Sequence, residues 1–115
     1  MTEWQDVCGV DDLQPNSGVC ALVGGQQVAI FYLHPGGACY AINNFDPFGN
    51  ANVISRGLIG DINGQPVVAS PLYKQHFNLQ TGVCLEDEMV TIPVYAIRIN
   101  NNRVEVNVQE SGNEL

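Results

Sequence analysis

The chain has no long apolar run and few basic residues. Its longest apolar stretch covers residues 28–33, far short of the roughly 18 residues that a membrane-spanning helix needs. Lys and Arg together number 4 against 12 Asp and Glu, which gives a formal net charge of -8. Binding to phosphate groups needs clustered positive charge, so the composition excludes nucleic acid and anionic lipid as ligands. The first residues lack the basic and apolar regions of a targeting signal, and we therefore expect a cytoplasmic protein.

Cysteine is present, but not in a metal-binding arrangement. The four cysteines form no Cys-x-x-Cys pair and no Cys/His spacing of the zinc type. Disulfide bonds are not expected in the cytoplasm. We therefore predict free and mostly buried thiols, since Cys20 and Cys39 stand inside apolar runs where cysteine behaves as a small hydrophobic residue.

The length and composition predict one folded domain. A chain of 115 residues has room for a single hydrophobic core, and 45% of its residues are hydrophobic. No tract of disorder-promoting composition interrupts it. We predict a single domain over residues 1–115, with a core over about 3–108 and a flexible tail over 109–115.

Short apolar or alternating runs, separated by glycines and asparagines, predict an all-β fold. Residues 19–23, 27–33 and 38–42 predict a three-stranded antiparallel meander, and its middle strand is apolar enough to be buried on both faces. Asn63-Gly64 predicts a tight hairpin, because both central residues of a type I′ turn need positive φ. Residues 94–99 and 104–108 predict another hairpin around three asparagines. Only residues 11–14 and the region around Ser55 are compatible with a helical turn.

Two proline-containing loops depart from the strand pattern. The first loop, residues 43–50, reads Asn-Asn-Phe-Asp-Pro-Phe-Gly-Asn. The second loop, residues 70–82, begins Ser-Pro-Leu-Tyr-Lys-Gln-His and ends Phe-Asn-Leu-Gln-Thr-Gly.

These loops and the strands around them resemble the Rieske iron-sulfur domain over about residues 3–108. In that family the first loop reads Cys-Pro-His and the second Cys-Pro-x-His-Gly, followed by Phe-Asp-Leu-x-Thr-Gly, and the cysteines and histidines hold a two-iron two-sulfur cluster. The resemblance implies an antiparallel β-sandwich whose two loops correspond to the cluster-binding loops.

The four ligand positions of this frame hold residues that cannot replace the ligands. Asp46 and Ser70 stand at the cysteine positions, and Phe48 and Tyr73 stand at the histidine positions. A phenyl ring has no lone pair, hydroxyl groups stay protonated at neutral pH, and one carboxylate cannot hold a cluster alone. We therefore expect no cofactor and no metal in this chain.

Among Rieske relatives without ligands, the two loops resemble those of the small subunits of bacterial assimilatory NADH-dependent nitrite reductases. This resemblance implies a cytoplasmic complex whose large subunit binds NADH, FAD, a four-iron four-sulfur cluster and sirohaem, and reduces nitrite to ammonium. The chain is then a required partner of the large subunit, part of an enzyme but not catalytic alone. The alternatives are a Rieske-type ferredoxin that carries electrons and a free-standing, cofactor-free protein-binding module.

The residues at the ligand positions have two interpretations each. Asp46 and Ser70 either bridge the two loops through a hydrogen bond or serve only as turn residues before proline. Phe48 and Tyr73 either pack against each other in the space of a cluster or stand exposed as anchors for a partner.

The second loop also carries the residues expected to contact a partner. Lys74 is the only lysine of an acidic chain and lies beside Tyr73. His76 either contacts a partner, donates a proton or caps the end of a strand. In Rieske-type domains the tip of the two loops approaches the redox partner, and we predict partner binding there through Phe48, Tyr73, Lys74 and His76.

Overall fold

The fold is built almost entirely from antiparallel strands. A computed structural model describes residues 4–34 and 36–111, with side chains through residue 109. The strands are β1 (Gln5–Gly9), β2 (Ser17–Val23), β3 (Gln26–Leu33), β4 (Ala38–Asn43), β5 (Phe45–Asp46), β6 (Ala51–Asn52), β7 (Leu58–Ile62), β8 (Gln65–Ala69), β9 (His76–Asn78), β10 (Val94–Asn100) and β11 (Arg103–Ser111). Two 3-10 helices cover Val10–Asp12 and Ile54–Arg56, where helical turns were expected.

The largest element is a six-stranded sheet in the order β1-β11-β10-β4-β3-β2. The predicted meander is confirmed, because β2, β3 and β4 pair in sequence as antiparallel neighbours. Four consecutive residues of β3 are fully buried, and they alternate between two apolar clusters. Val28 and Ile30 belong to one cluster, and Ala29 and Phe31 belong to the other. The burial of β3 on both faces is therefore confirmed, since side chains alternate along a strand.

The last two strands form the predicted carboxyl-terminal hairpin. Asn101 and Asn102 make its turn with φ values of 53° and 65°. Strand β11 continues past Val108, its last apolar residue, and Ser111 pairs with Tyr95 after a register shift. Residues 109–111, predicted as flexible tail, thus belong to β11, because hydrogen bonding between backbones does not require apolar side chains. The rest of that tail, residues 112–115, and Pro35 of the turn at 34–37 lie outside the described residues.

A three-stranded sheet, in the order β7-β8-β9, packs against the large one. Its first hairpin turns at Asn63 and Gly64, whose φ values of 54° and 82° confirm the predicted turn. Strand β9 lies within the second loop and forms the third strand, at one edge of this sheet, which the sequence pattern did not indicate. Val68 and Phe77 of this sheet share a core cluster with Phe31 and Ile42 of the large sheet. The fold is the expected antiparallel sandwich, and both loops leave it from strands that face this shared core.

The cysteines are free, as predicted, but their burial varies. Cys84 is buried and Cys8 and Cys39 are half-buried, whereas Cys20 is exposed. The expectation for Cys20 was wrong because β2 is an edge strand and its alternate residues face outward. Burial raises the pKa of all four thiols, so they stay protonated at neutral pH. The described part of the chain has no helix with the length and hydropathy to cross a membrane.

Candidate functional site

The first loop is organised around the buried side chain of Asp46. Its Oδ1 accepts hydrogen bonds from the backbone N–H of Phe48 at 2.9 Å and of Gly49 at 3.2 Å. Its backbone carbonyl accepts another from the N–H of Asn50 at 2.7 Å. Asp readily makes such local bonds in turns. The carboxylate therefore holds the first loop with one oxygen and leaves the other to face the second loop.

Asn44 attaches the first loop to the sandwich. Its side-chain oxygen accepts a hydrogen bond from the N–H of Ser55 at 2.7 Å, and its Nδ2 donates to Gln27 at 3.2 Å. Asn44 is 2% exposed, and its polar groups are satisfied by these bonds. No role was expected for Asn44 from the sequence, and its place two residues before Asp46 is the only signal that could have marked it.

Ser70 holds the second loop in a similar way. Its backbone N–H donates to the carbonyl of Gln75 at 2.9 Å, and its carbonyl accepts from the N–H of Lys74 at 3.1 Å. Its hydroxyl oxygen accepts from the N–H of Leu72 at 3.2 Å. Three hydrogen bonds of the turn therefore converge on one residue.

A buried hydrogen bond joins the two loops. The hydroxyl of Ser70 donates to Oδ2 of Asp46, and both residues are fully buried. A carboxylate removed from water needs several donors, and here one hydroxyl and two backbone amides supply them. Asp46 and Ser70 therefore bridge the loops, the first of their two interpretations, while each also shapes its own turn.

The rings of Phe48 and Tyr73 do not pack against each other, which rules out the first of their two interpretations. The ring of Phe48 lies against Phe77 of β9, with ring centroids 6.2 Å apart and an angle of 45° between the planes. Tyr73 is 64% exposed instead. Packing of Phe48 on Tyr73 was the wrong expectation, because Phe48 extends the apolar core that already contains Phe77, whereas the turn at 70–74 directs Tyr73 to solvent.

Leu72 makes the apolar contact between the loops that was expected of Tyr73. A Cβ atom at Gly49 would collide with the Leu72 side chain, so Leu72 lies directly on the backbone of the first loop. Only glycine leaves room for this contact. Leu72 remains 45% exposed on its other side. No role was expected for Leu72 or Gly49, because the pairing of a glycine with a leucine across two loops has no sequence signal.

Lys74 and His76 differ in how they are held. Lys74 is exposed, has a φ of 67° and makes no ion pair with any described residue. His76 has its Nδ1 2.6 Å from Oε2 of Glu86, and its backbone N–H donates to Oε1 at 2.7 Å. Burial raises the pKa of the Glu86 carboxyl, but the hydrogen bonds from His76 outweigh this, so the pKa lies below its ordinary value. His76 therefore serves the structure of the second loop, and Lys74 faces solvent.

These positions do not fit a two-iron two-sulfur cluster. The oxygens of Asp46 and Ser70 are already used in the bond between them and in backbone bonds. Phe48 offers no donor atom and packs on the core. Across residues 4–34 and 36–109, whose side chains the structure describes, no three His, Cys, Asp or Glu side chains are grouped so that they could hold a metal ion.

The chain is similar to known proteins along nearly its whole length. Residues 3–107 match the family described as the Rieske-like [2Fe-2S] domain. The chain is 47% identical over 106 residues to the nitrite reductase (NADH) small subunit of Salmonella typhimurium, which covers 92% of this chain and 98% of that protein. The solution structure of the nitrite reductase [NAD(P)H] small subunit from Erwinia carotovora is 44% identical with a TM-score of 0.78, and the match covers 92% of this chain and 82% of that one.

One relative is much longer. The chain is 36% identical over 107 residues to the nitrite reductase [NAD(P)H] large subunit of Klebsiella oxytoca, a match that covers 93% of this chain but 11% of that protein. In that protein, a segment similar to this chain and the large subunit share one polypeptide.

Proposed function

The chain belongs to the Rieske-like [2Fe-2S] domain family and, within it, to the small subunits of NADH nitrite reductase, and from this we propose that it supports the reduction of nitrite to ammonium by a separate large subunit. The observation that carries this proposal is the match over 92% of this chain and 98% of the Salmonella small subunit. The chain is part of an enzyme and is not catalytic alone. We place the complex in the cytoplasm, where NADH is available.

The redox cofactors belong to the large subunit in this proposal. FAD, a four-iron four-sulfur cluster and sirohaem carry the electrons there, and this chain supplies none of them. The buried bond between Asp46 and Ser70 supports the assignment, because it occupies the position of two thiolate ligands with groups that do not hold iron in such a cluster. The same observation argues against the alternative of a Rieske-type ferredoxin.

The partner is the large subunit rather than an unrelated protein. The Klebsiella relative supports this choice, because a polypeptide that contains both parts keeps them together. A free-standing binding module, the remaining alternative, provides no reason for such a fusion.

We place the docking surface at the loop tip, which we define as Leu72, Tyr73 and Lys74. All three are exposed, and tyrosine is enriched at the centres of protein interfaces. Two other cations, Arg98 and Arg103, are bound to Glu105 and Asp6 on the large sheet. Of the four residues predicted to bind the partner, Tyr73 and Lys74 belong to this surface. Phe48 and His76 support the loops that carry it.

Reconstitution tests the proposed function. Purified large subunit, this chain and the mixture are each assayed for NADH oxidation that depends on nitrite and for ammonium formation. We expect activity from the large subunit to rise when this chain is added, none from this chain alone, and no stoichiometric iron in this chain after anaerobic purification. A mixture no more active than the large subunit, with no complex on gel filtration, would contradict the proposal. One bound two-iron cluster per chain would instead favour the ferredoxin.

A further inference from the structure

We propose that the Asp46–Ser70 hydrogen bond and the Leu72–Gly49 contact, together called the clasp, position the loop tip for docking in place of a metal cluster. The inference rests on the proposed docking at the loop tip. Asp46 and Ser70 are positioning residues in it, because both are fully buried and neither can touch the partner.

The two polar residues of the clasp also make the hydrogen bonds that shape each loop. Asp46 holds the N–H groups of Phe48 and Gly49, and Ser70 holds those of Leu72 and Lys74. Among the described residues, the only group that joins these two sets through a side-chain hydrogen bond is the Ser70 hydroxyl, which donates to Asp46 and accepts from Leu72. Breaking that single bond therefore leaves the two loops joined only by apolar contacts, Leu72 on Gly49 and Phe48 on Phe77.

The loop tip depends on the clasp for its conformation. Lys74 has a φ of 67°, which is unfavourable for a residue with a Cβ atom and persists only where the surroundings impose it. A hydrogen bond from the N–H of Lys74 to the carbonyl of Ser70, a residue of the clasp, closes the turn in this conformation. Neither Tyr73 nor Lys74 makes a side-chain hydrogen bond to any described residue, so backbone position alone sets where they point. A surface held in its bound conformation loses less conformational entropy on docking.

Two substitutions separate the hydrogen bond from the charge. Ser70→Ala removes the bond and leaves a buried carboxylate oxygen without its donor, which is costly. Asp46→Asn keeps one hydrogen bond between the loops with its direction reversed, because its amide oxygen can accept from Phe48 and Gly49 while its nitrogen donates to the Ser70 oxygen, and the Ser70 O–H loses its acceptor. Val106→Ala is the matched control, since it removes buried volume from β11 in the large sheet and not from the loops.

The first measurement is amide hydrogen exchange in the isolated small subunit. Ser70→Ala should speed exchange of Gly49, Leu72 and Lys74 by about tenfold or more relative to residues of β3, because it removes both hydrogen bonds of the hydroxyl, the one donated to Asp46 and the one accepted from Leu72. Asp46→Asn should leave these amides within about threefold of the original protein. If Ser70→Ala speeds amide exchange equally in the loops and in β3, the clasp only adds to the stability of the whole domain, and the proposal is overturned.

The second measurement is the affinity of each variant for the purified large subunit, at a temperature where all are folded. Ser70→Ala should raise Kd about tenfold, while Asp46→Asn and Val106→Ala stay near the original value. In a Tyr73→Ala background the effect of Ser70→Ala should shrink, because the clasp acts through the loop tip. If Tyr73→Ala weakens binding but Ser70→Ala leaves the affinity unchanged, the positioning role of the clasp is wrong, whereas docking at the loop tip still stands. If Tyr73→Ala has no effect on binding, docking at the loop tip is wrong, and the exchange data still decide whether the clasp orders the loops.

Discussion

The large sheet and the two loops are held together by different kinds of interaction. In the sheet, β3 sends alternate apolar side chains into two separate clusters, and four consecutive residues have no exposure at all. In the loops, two fully buried polar residues bond to each other and to backbone amides, and Leu72 and Phe48 add apolar contacts. Apolar burial is strong but not directional, whereas hydrogen bonds fix orientation at a small net gain in stability. The sheet therefore provides the stability of the domain, and the loops provide a defined surface.

A truncation in β3 should have the largest effect on stability. Phe31→Ala removes a fully buried ring from the cluster that joins the two sheets, and we expect a loss of about 3–5 kcal/mol in the free energy of unfolding. Urea denaturation measures it. Leu22→Ala on β2 is the control, because Leu22 is largely exposed, and it should change stability by less than about 0.5 kcal/mol. Equal losses would mean that β3 does not carry the core.

Phe48→Ala should have an intermediate effect, since this ring belongs to both regions. It is half-buried and touches the core through Phe77, so we expect a loss of about 1–2 kcal/mol rather than the full cost of a buried ring. The same urea titrations apply. A loss above about 3 kcal/mol would place Phe48 in the core proper, and one below about 0.5 kcal/mol would mark it as a surface residue.

Substitutions in the loop tip should affect docking and not folding. Tyr73→Ala and Lys74→Glu should each weaken binding to the large subunit by about tenfold, the loss typical of a central interface residue. Stability should stay within about 0.5 kcal/mol, because both side chains are exposed. Calorimetry measures the affinity, and nitrite-dependent NADH oxidation measures the activity of the reconstituted enzyme.

Arg56→Glu is the matched control for Lys74→Glu, because it reverses another exposed cation and changes the net charge equally. If both weaken docking to the same extent, general charge and not the loop tip determines the affinity. If Tyr73→Ala and Lys74→Glu leave full activity, the docking surface lies elsewhere, for example on an exposed sheet face.

The pH dependence of the His76–Glu86 pair should be the smallest effect. The folded pKa of Glu86 lies below its ordinary value of 4.5, so its ionised form contributes stability above that pH, and the contribution is lost as the pH falls through the lowered pKa. Glu86→Gln should remove this part of the acid sensitivity below about pH 4.5. Because the pair is partly exposed, the difference should stay below about 1 kcal/mol. Urea titrations from pH 3 to pH 7 measure it, and parallel pH profiles for the two proteins would contradict it.

Much of the framework follows from the sequence alone. The meander, the Asn-Gly turn and the positions of both 3-10 helices were predictable, because period-two apolar patterns and residues that tolerate positive φ act locally. The positions of Asp46 and Ser70 in the Rieske frame were also predictable, since the prolines and the Phe-Asn-Leu-Gln-Thr-Gly segment keep their spacing. The ends of strands were less predictable. Strand β11 extends through polar residues because the backbone of Ser111 pairs with Tyr95.

The contacts between the loops were decided only by the tertiary structure. The sequence left open whether Asp46 and Ser70 meet, and it suggested Tyr73 as the partner of Phe48, yet Phe77 takes that place and Tyr73 faces solvent. It did not indicate that Leu72 would rest on Gly49 or that Cys20 would be exposed on an edge strand. These outcomes depend on the distance between segments far apart in the chain. Residue type and spacing specify each turn, whereas only the packing of one sheet on the other decides which side chains of the two turns come within reach.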